Sequence, residues 1–283
     1  MEISIAPRAF LWDTPLMKVC LPFLVLLCTH FGHAQDKPKI PEDLLDDEVF
    51  RSESALNDYT VPSIAKVFNE LDKIAPLAYD PKHLEIHEQR TTKKNRLALR
   101  LGTLIANGFI AVQTGNSDDV PKITTYINQY AKSLAAGDRV QKHGAALLEH
   151  AKAKDLDKLK QALAATQRDV ELELVKLKDP DLSHLISLGG WLQALDSAAL
   201  AVDKKYTPER ALTLFREDVA DYYAESIGSL NPSISSLPEF IKMRELLQGL
   251  RNAMVLEENA KPTAEQVKEV TKVSAELVAL ARK

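Results

Sequence analysis

The stretch from Pro180 to Val202 constrains the fold of this chain more than any other. It reads PDLSHLISLGGWLQALDSAALAV, with Asp181 and Asp196 as its only carboxylates and neither Lys nor Arg. Leu185, Leu188, Leu192, Leu195, Ala199 and Val202 recur at alternating steps of three and four, which lines them up along one face of an α-helix. Gly189 and Gly190 sit beside that stripe, where the missing side chain lets a second helix backbone approach closely. A segment this apolar on nearly every turn belongs inside a domain, and it predicts the central helix of an all-α fold.

The same period continues on both sides. Pro62 opens a helix to about Leu77 carrying Ile64, Val67, Phe68, Leu71 and Ile74. Lys93 to Gln113 is a second strongly apolar helix with Leu97, Leu101, Leu104, Ile105, Phe109 and Val112, and with Gly102 and Gly108 inside it. Ile123, Ile127, Tyr130 and Leu134 mark the next helix, and Val140, Leu147 and Ala151 a shorter one. Asp155 caps a long amphipathic helix through Leu177, and Asp179-Pro180 reads as a cap with proline at the first helical position. Thr207-Pro208 repeats that device ahead of Leu212, Phe215, Val219 and Tyr222. Pro238 opens a helix with Phe240, Met243, Leu247, Leu250 and Met254, and Thr263 with Gln266 forms a capping-box pair before the last one. No segment alternates with period two, and 10 glycines are few for a many-turned β protein. These patterns predict an all-α multi-helix bundle of about nine helices over 61–283. They also suggest two four-helix sets, 91–177 and 181–282, each beginning with a glycine-bearing helix, and those two helices as the inner pair.

The N-terminus predicts export. Met17-Lys18 gives a short basic start, Val19 to Thr29 an apolar run, and Gly32-His33-Ala34 small residues ahead of a cut before Gln35, the three parts of a secretory signal peptide over 1–34. The run is short of the roughly 20 apolar residues that a spanning helix needs. Lipid attachment through Cys28 is disfavoured by the bulky Leu27 before it. Cys20 and Cys28 both fall in this stretch, so the remainder carries no thiol. Gln35 to Thr60, acidic and without a sustained period, reads as an arm or linker. With 36 Lys plus Arg against 40 Asp plus Glu, a formal charge of −4, the balance argues against nucleic acid or an acidic membrane surface as partner.

Candidate chemistry is sparse. His83 and His87 stand four apart and can share a helix face as metal ligands, but Leu84 holds the place of the Glu in the zinc-protease pattern, and a solvated polar connection is the simpler reading. His143 and His150 read as a surface face among lysines. His184, Ser187 and Asp196 are polar groups on the central helix, and a buried Asp196 requires a partner, because an unpaired charge in a core is very costly. Trp191, Tyr222 and Tyr223 are aromatic groups that line a pocket or fill the core. No phosphate loop, nucleophile elbow or haem-attachment motif is present, and nothing calls for a cofactor. The favoured expectation is an exported, non-catalytic helical-bundle protein with a binding or structural role in the cell envelope, its partner an envelope protein or a small ligand. Its binding residues would be Trp191, Asp196, Tyr222 and Tyr223. The alternative is a hydrolase or metal-dependent enzyme with a site assembled from separated helices.

Overall fold

Helix is the only regular structure among the described residues, which are 39–45, 62–88 and 91–283 of a computed structural model. The leader expected over 1–34 and most of the arm expected over 35–60 lie outside them. Among the described residues nine α-helices have seven residues or more: α1 (Ile64–Leu71), α2 (Lys94–Gln113), α3 (Val120–Ser133), α4 (Gly137–Ala153), α5 (Leu156–Lys176), α6 (Pro180–Lys204), α7 (Glu217–Ser229), α8 (Pro238–Met254) and α9 (Ala264–Arg282). Single helical turns at Pro208–Leu212 and Pro232–Ser235 and short 3₁₀ stretches fill most of the connections.

The glycine-bearing helices α2 and α6 form the most extensive helix pair. A Cβ on Gly102 would fall on the Ile186 carbonyl oxygen and lie 2.8 Å from the Gly190 nitrogen, and one on Gly189 would meet the Leu99 carbonyl. Backbone therefore touches backbone along this seam. Lys94, at the start of α2, lies 3.7 Å from Asp179, just before α6; with the glycine contacts, this sets the two helices side by side in the same direction. Helices α2 to α5 pack in chain order and close by α5 meeting α2. In the second set α7 packs on α8, α8 on α9 and α9 on α6, while α7 reaches α6 by the stacking of Tyr223 on Trp191 at 5.0 Å. Short α1 lies against α5 and α6, and Phe68 stacks on Phe109 of α2 at 4.9 Å. Leu44, in the described end of the arm, is buried in the same core. Helix α6 is long and apolar enough to cross a membrane, yet 94% of its most apolar window is buried inside the fold.

Several local expectations change. The helix expected through Leu77 ends at Leu71 and passes into a 3₁₀ turn at Asp72–Ile74. The helix expected from Pro208 breaks after Leu212, and α7 begins at Glu217 with Glu217 and Asp218 in its first turn, where the helix dipole favours carboxylates. Asp179 does not cap α6. Thr207 does cap its turn, accepting from the Arg210 amide, and Thr263 with Gln266 makes both bonds of the capping box on α9. Replacing Thr263 by Ala removes one half of that box, so Thr263→Ala is expected to lower unfolding free energy by about 1 kcal/mol in a denaturant titration, with an unchanged slope.

Candidate functional site

The aromatic and acidic residues picked out on α6 face different ways, because five residues carry a helix about 500° round its axis. Trp191 and Asp196 accordingly belong to two separate places.

Trp191 lines an open cleft of about 290 Å³ between α1, α6 and the start of α7. Val67, Leu71, Leu195, Leu214 and Val219 make its apolar wall, and Glu70, Lys73 and Arg216 its charged edge. Those charges have partners within the protein. Lys73 pairs with Glu70. Arg216 donates to both oxygens of Asp43 at 2.7 and 3.0 Å and to both of Asp218 at 2.9 and 2.8 Å. The Asp218 hydrogen bonds and those to Asp43 hold the Arg216 guanidinium above its already high range. What the cleft offers an occupant is chiefly hydrocarbon and the Trp191 ring.

Tyr222 and Tyr223 stand behind Trp191 and are not among the residues lining the cleft. Tyr223 stacks on Trp191, and Tyr222 meets Tyr223 edge-on at 5.0 Å. The Tyr223 hydroxyl is 2.8 Å from Ser187 Oγ, which donates to the Pro62 carbonyl at 2.6 Å, so Tyr223 is the donor to Ser187. Burial pushes both phenols up. Because the Ser187 proton is committed to a main-chain oxygen, this hydroxyl is not poised against a base. His184 Nδ1 faces the Tyr222 hydroxyl at 3.3 Å. Ser187 and His184 thus tie α6 to the Pro62 segment and to α7.

Asp196 lies in a buried polar cluster centred on Arg282 of α9. Asp196 is 3% exposed and its Oδ1 has no hydrogen-bond partner in the protein. Burial raises its carboxyl to about 6, against the opposing pull of the Arg282 charge. Arg282 donates through Nε to Gln193 Oε1 at 3.2 Å, through Nη2 to the same oxygen, and through Nη2 to His83 Nδ1 at 3.0 Å. Arg100 of α2, 2% exposed, donates to the main-chain oxygens of Arg282 and Lys283 at 2.9 and 2.6 Å and fixes the end of α9. Asn107, two turns beyond Arg100 on the same face of α2, is buried with Nδ2 unpartnered.

His87 departs most from expectation. It is 4% exposed rather than solvated, enclosed by the Tyr126 and Tyr130 rings at 5.7 and 5.6 Å. Its segment, Pro81–Glu88, is a 3₁₀ helix, in which three residues make a turn and positions four apart do not share a face. The pair thus diverges: His83 meets Arg282, and His87 meets the Tyr130 hydroxyl at 3.1 Å. That hydroxyl also bonds Arg100, an obligate donor, and its own proton has two acceptors, His87 Nδ1 at 3.1 Å and the His87 carbonyl at 3.5 Å, while His87 Nε2 is buried without a partner. No group of three or more His, Cys, Asp or Glu able to hold a metal occurs among the described residues. His143, expected among surface groups, is partly covered and contacts Asp169 at 2.8 Å.

Arg100 and Arg282 were not singled out from the sequence. A signal for Arg100 existed: it falls between Leu97 and Leu104 on the apolar stripe of α2. No family model, no curated protein and no solved structure matches this chain.

Proposed function

We propose that this is an exported, non-catalytic binding protein of the cell envelope, and that it holds a small, mostly apolar, neutral molecule beside Trp191. The supporting observation is the 290 Å³ cleft with an aromatic wall and an edge whose charges have partners within the protein. An apolar cavity of about 150 Å³ accommodates benzene, so this one suits a two-ring or short-chain compound. Apolar pockets with a few polar groups at the edge are the usual form of small-ligand sites. The N-terminal pattern supports the envelope as the setting, and the mixed charge supports neither nucleic acid nor an acidic lipid surface as partner.

The chain has two tryptophans, Trp12 and Trp191, so with Trp12 absent or changed to Phe the emission reports the cleft alone. Titrating the purified protein with N-phenyl-1-naphthylamine is expected to quench Trp191 saturably at one site. Val67→Phe, which fills the cleft from α1, is expected to weaken binding at least about tenfold, the loss of 1.4 kcal/mol. Unchanged emission up to the solubility limit of the probe, or equal affinity in Val67→Phe, refutes the site.

A further inference from the structure

We propose that the segment Pro81–Glu88 is an acid-released strap: two neutral imidazoles, His83 and His87, fasten it to Arg282 and Tyr130, and proton uptake by those rings lets it go. This inference is independent of the cleft and of any ligand.

The fastening is geometric. His83 can accept from Arg282 Nη2 only through an unprotonated Nδ1, at 3.0 Å. Once protonated, Nδ1–H would face an N–H of a guanidinium, donor against donor and cation against cation. The second tie joins His87 Nδ1 to the Tyr130 hydroxyl at 3.1 Å, and Nδ1 is a nearer acceptor for the hydroxyl proton than the His87 carbonyl at 3.5 Å. Its protonation would oblige Tyr130 to accept from both His87 and Arg100 and to send its proton to the His87 carbonyl at 3.5 Å. Leu84 between them is buried at 2% exposure, so the strap covers core as well as the cluster.

The surrounding charges mostly oppose protonation. Burial holds His83 down to about 4, and the Arg282 charge acts the same way. Burial holds His87 down to about 3, helped by Arg100, Arg282, His83 and Lys122. Asp80, 3.7 Å from His83 Nε2, is the group on the strap side that favours the charged ring. Both imidazoles are free to take up protons near 6.5 once released. The fastened state is therefore full-strength above pH 6.5, and it weakens as pH falls toward 4. Asp196 works in the other direction: its buried carboxyl keeps its proton up to about 6 and gives it up on exposure to water. Opening thus takes up two protons and returns at most one.

Hydrogen exchange of the full chain tests this. Protection factors for amides of 81–88 are expected to fall at least about tenfold between pH 7.5 and 4.5, since one net proton is worth tenfold per pH unit, while those of α2 and α6 hold. In His83→Gln/His87→Gln the amide oxygens still accept and never titrate, so the strap is expected to stay protected at both pH values. Asp196→Asn removes the returning proton and is expected to steepen the release. Equal protection of 81–88 in the wild type at both pH values overturns the proposal, and so does release in the double variant equal to that of the wild type. If the double variant does not fold, an NMR titration of the wild-type imidazoles decides. Rings that stay neutral at pH 5 in the protected state support the strap, and rings titrating near 6.5 with 81–88 still protected overturn it.

Discussion

Gly102→Ala is expected to destabilise the protein by more than about 3 kcal/mol, beyond the usual range for added bulk in a core. Most overpacked sites adjust because a neighbouring side chain turns aside. At Gly102 the obstacle is the Ile186 carbonyl and the Gly190 nitrogen, both main chain of α6. The only response is to separate two helices along their whole seam, which forfeits dispersion contacts at every level of the interface. At this size about 3 kcal/mol corresponds to a fall in melting temperature of roughly 6–12 °C. Gly249 in α8 is the control, since a Cβ there meets nothing within 4 Å. Gly249→Ala is expected to raise stability by about 0.5–1 kcal/mol through lower chain entropy and better helix propensity. Thermal melts followed by circular dichroism compare the two directly, and a Gly102→Ala protein that melts with the wild type would show that the helices do not touch there.

Asp196→Asn is expected to stabilise the protein at pH 7.5, an unusual outcome for a substitution at a buried position. The ionised carboxylate is enclosed, one oxygen is unpartnered, and burial outweighs the Arg282 charge so that the group is held at about 6. An unfolded aspartate ionises near 3.9. The native state therefore binds the extra proton between those values, and the contribution of Asp196 to stability falls as pH rises from about 4 to 6. Two units correspond to about 3 kcal/mol of penalty above pH 6. The new amide also needs partners, at about 1–3 kcal/mol if it finds none, so the net gain expected at pH 7.5 is up to about 2 kcal/mol, turning into a loss below pH 4, where the ionisation penalty is gone and the cost of the amide remains. Denaturant titrations at pH 7.5 and 4 measure it. A loss at pH 7.5 would mean that the attraction to Arg282 exceeds the cost of burial.

The long helices were legible because their stripes are nearly pure hydrocarbon. Leu185, Leu188 and Leu192 leave no other way to be satisfied, and Gly102, Gly189 and Gly190 mark where a neighbour comes close. Caps were legible where a side chain bonds locally, as at Thr207 and Thr263. Asp179 misled because its carboxylate lies toward Lys94, which is remote in sequence. His87 misled because a 3₁₀ segment has no 3.6-residue period, and Tyr126, Tyr130 and Arg100, supplied by other helices, bury it. The cleft beside Trp191 was half legible. The ring was picked out, but the hollow depends on where α1 stops and α7 begins, and both boundaries moved with tertiary packing.

The seam between α2 and α6 has one further consequence. Side chains can slide and re-seat, but abutting peptide groups have no such slack, so the middle of this molecule cannot serve as a joint. Each set of helices borrows its innermost wall from the other. Melting is accordingly expected to be a single concerted event, and whatever breathing the protein does must take place at its periphery.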